Sequence, residues 1–140
     1  HDFFTEQPQK NVAVFLLRTV CHDWPDHLAV RILQLLRQAA CPSTKLVIGD
    51  YIIPYSCSNV WGNIDLPGSE YTIPPEPLLA NMGKASANMY WIDLSMQVLL
   101  NGQERTLPHH IRILHEAGWN PILLKTCRNS HFGYIIAECL

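Results

Sequence analysis

An α/β fold is what the sequence predicts. Two apolar runs of strand length flank an amphipathic helical stretch, and two more strand-like runs close a chain whose second half is otherwise helical. "NVAVFLL" (Asn11 to Leu17) is continuously apolar and rich in β-branched and bulky side chains, the pattern of a strand buried on both faces of a parallel sheet. After the Trp24-Pro25 step, Leu28, Ile32, Leu35, Leu36 and Ala39 recur at helical spacing, with Pro25 suited to the first turn. "TKLVIGDYIIP" (Thr44 to Pro54) is a second buried strand ended by proline, so the three segments read as a right-handed βαβ unit.

The order weakens over positions 55–84, a Pro/Gly-rich insertion with scattered aromatics. A long stretch without regular structure inside a compact domain is typically functional or disordered. From Ala85 to Leu100 a helix is predicted with Met89, Ile92, Met96 and Leu99 on one face, and "NGQERT" then makes a turn. Thr106 suits the N-cap of a further helix with Pro108 in its first turn and Gly118 at its end. "NPILLKTC" and "FGYIIAECL", joined by "RNSH", read as an antiparallel hairpin.

Composition limits the function. The 140 residues make one domain, and 48% hydrophobic with 16% charged residues is a globular composition rather than a disordered one. A net charge of -2, with seven scattered histidines, gives no basic stripe for nucleic acid or an anionic membrane surface. Five cysteines, odd in number and without a CxxC pair, argue against a disulfide framework or zinc knuckle, so a reducing, cytoplasmic setting is expected. No apolar run approaches the roughly 20 residues that span a bilayer, and "HDFFTEQPQK" is unlike a signal peptide. Opening on His1, the chain reads as a fragment or processed product.

Two residues stand where chemistry is expected in such a sheet, beyond the carboxyl ends of the strands: His22, just after the first strand, and Asp50, near the end of the second. By position alone His22 is a proton-transfer group or a structural hydrogen bonder, and Asp50 is its companion or a loop anchor. Cys21 beside His22 does not make a nucleophile pair, because neighbours after a strand point to opposite faces. His109, His110 and His115 are expected on exposed helix positions, and Glu104 in "NGQERT" reads equally as a solvated turn acid paired to Arg105. No ligand cluster for a metal is visible.

Four blocks carry a resemblance: "LRTVCHDWPDHLAVRILQLLRQAA", "KLVIGDYIIP", "YWIDLSMQVLLNGQERT" and "ILHEAGW". In this order and approximate spacing they resemble the S-adenosylmethionine-dependent small-molecule O-methyltransferases of plants and fungi, the segment "PPEPLLANMGKASANMYW" being most similar to the fungal branch. The resemblance covers the C-terminal half of the family's catalytic domain. It implies the last part of a Rossmann-like sheet, with the glycine-rich cofactor loop and the N-terminal dimerisation domain outside these residues and a homodimer for the full-length parent. It implies His22 as general base flanked by Asp50 and Glu104, the first of these positions being commonly Glu in the family. Asp2, Phe3 and Arg18 fall on cofactor-binding positions, and Met89, Met96 and Asp23 on substrate-binding ones. The implied cofactor is S-adenosylmethionine, and the implied partner is an aromatic small molecule bearing a hydroxyl. A truncated, non-catalytic interaction module is the alternative.

Overall fold

A computed structural model describes residues 1–57, 64–70, 74–127 and 130–140. Strand β1 (Val14–Arg18) leads through a 3-10 turn (Cys21–Asp23) to helix α1 (Asp26–Ala39) and strand β2 (Lys45–Tyr51). Helices α2 (Ala87–Leu100) and α3 (Leu107–Glu116) follow, then strands β3 (Trp119–Thr126) and β4 (Phe132–Cys139). The four strands form one sheet in the order β1-β2-β4-β3, with β1 parallel to β2 and the closing pair antiparallel.

Both halves follow from local chemistry. Pro25 caps α1 with its fixed φ of -63°, and Ile32, Leu35, Leu36 and Ala39 are buried as their spacing requires. Thr106 occupies the N-cap of α3, although its hydroxyl donates to the Tyr55 hydroxyl rather than bonding a helix amide. Gly118, at φ 85°, turns the chain out of α3. Pro121 sits in β3, an edge strand where a missing N–H is tolerated, and the ladder shifts register between Pro121 and Leu123.

The core lies on one face of the sheet. Phe15, Leu17, Leu46, Ile48, Ile135 and Ala137 pack there with α1 and α3, and the buried Trp119 indole donates to the Leu33 carbonyl at 3.0 Å. This corrects the expectation that the first strand is buried on both faces. Val14 and Leu16 are 51% and 61% exposed, because α1 and α3 cover only the alternate positions and nothing among the described residues covers the others. The strand also begins later than the apolar run, at Val14.

The expected face of α2 needs a similar correction. Met89 is buried and Ile92 and Met96 are half-buried, but Leu99 is exposed with Trp91, Leu94 and Val98, because this helix is apolar on nearly every side and can turn only one side inward. In the 55–84 insertion Leu66 reaches the core and the Pro67 carbonyl accepts the Leu124 N–H, so this piece runs beside β3. Positions 58–63 and 71–73, and Arg128 and Asn129 of the "RNSH" connection, lie outside the described residues. No helix among the described residues is long and apolar enough to cross a membrane.

Candidate functional site

The chain leaves β1 through Thr19, a β-branched residue at φ 51°, a conformation that costs of order 1–3 kcal/mol and persists only where the surroundings enforce it. The enforcement is visible: the Thr19 N–H donates to Gly49 of β2, and the following turn is gripped from within. The fully buried guanidinium of Arg105 donates to the carbonyls of Cys21 at 2.6 Å and Trp24 at 2.7 Å, and to the Asp26 carboxylate. The Gln103 N–H donates to the His22 carbonyl at 2.9 Å. Gly102 lies so close that a Cβ there would overlap this carbonyl oxygen. Residues 101–105 thus hold the backbone of a turn some 80 positions earlier.

On this mount the His22 ring has a defined orientation. Its Nδ1 lies 2.8 Å from Glu104 Oε1, a distance at which it donates to the carboxylate, and its Nε2 lies 3.3 Å from Asp23 Oδ1. The hydrogen bond to Glu104 raises the His22 pKa above its usual value against the opposing effect of burial, and the charges of Glu104, Asp50 and Asp23 add to the rise. Glu104 is itself fixed, its backbone N–H donating to Asp93 Oδ1 of α2 at 2.8 Å.

Asp50 completes the group differently. The strand end is tied to the loop by a bridge between Ile52 and Arg105, which brings Asp50 near His22 and Glu104. Yet the residue is 2% exposed and, among the described residues, neither carboxylate oxygen has a hydrogen-bond partner. Burial, assisted by the Glu104 and Asp23 charges, pushes its pKa up to about 7, while His22 and Arg105 pull the other way. Such an acid acts on the imidazole through its field and its protonation state rather than through a bond.

The other sequence-derived candidates stand further out. Arg18 lies over the Phe132 ring, 5.2 Å from its centroid, as in a cation-π contact. Asp2 accepts the Phe4 N–H, Phe3 is exposed, and Phe4 packs edge-on against Trp24 at 4.8 Å, pinning this segment beside the turn. Among the described residues no hydrogen bond or ion pair joins the side chains of Asp2, Phe3, Arg18, Met89 or Met96 to His22 or Glu104. Met96 meets the loop through its carbonyl, which accepts the Gly102 N–H.

Three expectations change. Glu104 is not a solvated acid paired to Arg105; both are buried, and Arg105 pairs with Asp26 because its side chain points under the turn. His110 is not exposed but fully buried, and burial lowers its pKa to about 3 against the opposing effect of a hydrogen bond with the Tyr51 backbone. His109 is half-buried and bonds Asp26, whereas His115 is exposed as expected. The Cys21 thiol is fully buried and its pKa is raised by that burial, which leaves it inert. Among the described residues no group of three or more His, Cys, Asp or Glu is placed to hold a metal ion.

Reading the sequence did not single out Arg105, Gly102 or Asp93. Asp93 had a signal, being the one charge on the helix face shared by Met89, Ile92 and Met96. Arg105 had none, since its partners lie about 80 residues away.

No family model matches the chain. It is 44% identical over 120 residues to 4-O-methyltransferase 1 of Phanerochaete chrysosporium, covering 85% of this chain and 26% of that protein. It is 46% identical over 121 residues to an O-methyltransferase of Armillaria gallica, covering 85% and 25%. The chain therefore spans about a quarter of the length of the curated relatives it matches. Among solved structures, mitomycin 7-O-methyltransferase MmcR superposes with a TM-score of 0.75 at 22% identity, over 100% of this chain and 33% of that one. OxaC in complex with SAH and oxaline superposes at 0.73 with 25% identity, over 100% and 29%.

Proposed function

We propose, on the premise that the chain corresponds to the C-terminal portion of fungal O-methyltransferases, that it carries the general base for methyl transfer to an aromatic hydroxyl. The observation that supports this most is the His22–Glu104 hydrogen bond on a turn beyond the carboxyl ends of β1 and β2. A phenol, with a pKa of about 10, is a poor nucleophile at neutral pH, and a positioned base contributes roughly 10²–10⁴-fold. His22 takes the proton at Nε2. Glu104 at Nδ1 fixes the tautomer and stabilises the imidazolium as it forms, while Asp50 adds a field without a bond.

The cofactor in this reading is S-adenosylmethionine, which when bound supplies a methyl group already activated on a sulfonium. Asp2 and Phe3 suit one part of it: an exposed carboxylate beside an exposed aromatic ring offers an adenosine both an acceptor and an apolar face. Arg18, the last residue of β1, is a basic group for the same cofactor in this proposal. For the acceptor, Met89 and Met96 of α2 line an apolar wall and Asp23 lies next to the Nε2 edge. Such a wall distinguishes similar aromatics only weakly, so the class is an aromatic hydroxyl compound of small size.

The test is His22→Ala in the full-length protein. Turnover is expected to fall by about 10²–10⁴-fold with S-adenosylmethionine affinity unchanged by calorimetry; turnover at the parent rate removes His22 from this role. The exposed Val14, Leu16, Trp91 and Val98 favour a second reading, in which the 140-residue chain alone is a non-catalytic interaction module. Tight S-adenosylmethionine binding by the isolated chain rules that reading out.

A further inference from the structure

The inward face of α2 carries Met89, Ile92, Asp93 and Met96, and Asp93 is the single carboxylate among them. A charge on an apolar face needs a partner that repays its loss of water. Here the partner is the backbone N–H of Glu104, at 2.8 Å from Asp93 Oδ1. One residue of α2 is thereby bonded to the amide of the very residue whose carboxylate holds the His22 imidazole. The same helix meets the loop again at its end, where the Met96 carbonyl accepts the Gly102 N–H and Asn101 closes the helix at φ 56°.

We propose that Asp93 is a positioning residue that sets the Glu104–His22 pair relative to α2, so that the wall bearing Met89 and Met96 and the base move as one unit. Asp93 acts through Glu104 and touches no reacting atom. This inference rests on the reading of His22 as base and adds to it the element that fixes the distance between base and acceptor wall. The groups facing His22 are Glu104 from the loop, Asp50 from the end of β2 and Asp23 from its own turn, and of these Asp93 governs only Glu104.

The experiment compares Asp93→Ala and Asp93→Asn in the full-length protein. Two readouts are taken: the pH profile of kcat, and the His22 titration followed by NMR on labelled histidine. In Asp93→Ala the freed loop is expected to lower kcat by about tenfold to a hundredfold, since small misplacements of a reacting group have costs of this size. Its acidic limb and the His22 midpoint should both move to lower pH, because the bond that raises the His22 pKa is loosened. Asp93→Asn keeps an oxygen for the Glu104 N–H and is expected to stay near the parent on both. A His22 midpoint in Asp93→Ala equal to the parent's overturns the proposal. If His22→Ala leaves turnover intact, the base reading fails, and the NMR midpoint still decides the role of Asp93. Should Asp93→Ala not fold, Asp93→Glu, charged but with the wrong reach, is expected to move the midpoint in the same direction; an unmoved midpoint again overturns the proposal.

Discussion

Two acids face one imidazole from two regions of the molecule, and they are held in opposite ways. On the loop side Glu104 is bonded through its side chain to His22 and through its backbone to Asp93, and its neighbour Arg105 fastens the turn beneath. On the strand side Asp50 is buried as well, but among the described residues its carboxylate has no hydrogen-bond partner. The difference follows from where each sits. The loop wrapped over the turn sets Glu104 Oε1 against the ring and its amide against Asp93, leaving only Oε2 without a partner among the described residues, whereas the Asp50 backbone is committed to the ladder with β4 and its carboxylate makes no hydrogen bond to the ring. The loop therefore sets both the geometry of the imidazole and most of the rise in its pKa, and the strand adds a charge whose own protonation is governed by burial.

The largest expected effect comes from breaking the loop side. Arg105→Ala takes the guanidinium donors from the Cys21 and Trp24 carbonyls and one of several donors from the Asp26 carboxylate, and empties a fully buried site, so it is expected to destabilise the fold by about 3–5 kcal/mol in chemical denaturation. A loss below about 1 kcal/mol would mean that the turn is held by other contacts.

Removing the charge on the strand side sharpens the comparison. The Asp50 pKa of about 7 lies above its unfolded value, so the folded state keeps a proton that the unfolded chain releases, and stability falls as pH rises from about 4 through 7. Asp50→Asn should therefore gain on the parent by on the order of 3 kcal/mol at pH 8 and by little at pH 4, read from melting at both values. A gain independent of pH would show that Asp50 is ionised throughout.

The smallest effect separates burial alone from nearness to His22. His110 is also buried, but its pKa of about 3 lies below the unfolded value, so it costs stability as pH falls below about 6.5. His110→Leu is expected to narrow the loss between pH 7.5 and 5.5 by about 1 kcal/mol, with no change in the His22 titration. A shifted His22 midpoint would place His110 inside the same electrostatic group.

Much of this was legible in the sequence, where the controlling forces are local. Pro25, Thr106 and Gly118 mark helix ends by backbone preference alone, and the parallel β1–α1–β2 unit follows from the two apolar runs and the spacing of Ile32, Leu35 and Ala39. His22 and Asp50 stand out by their position beyond the strand ends and Glu104 through the family resemblance, but their unequal bonding was not legible, because one methylene and one loop path decide it. The exposure of Val14, Leu16 and Leu99 was missed because apolar character says that a residue can be buried, not that a partner layer is present among these residues. His110 was missed for the converse reason: a polar ring reads as surface unless its helix register against β2 is known.

The separation in sequence between the turn and its clamp has a kinetic meaning. His22 and Glu104 are 82 positions apart, and Arg105 and Cys21 are 84 apart, so neither contact can form until nearly the whole domain has closed around them. The β1–α1–β2 unit, by contrast, joins residues about 30 positions apart, such as Val14 and Lys45. The imidazole acquires its partner only in a chain whose long-range contacts are made. Its titration midpoint is then a single-residue gauge of completed folding, which falls back toward that of a free histidine in any state where the two ends of the domain have come apart.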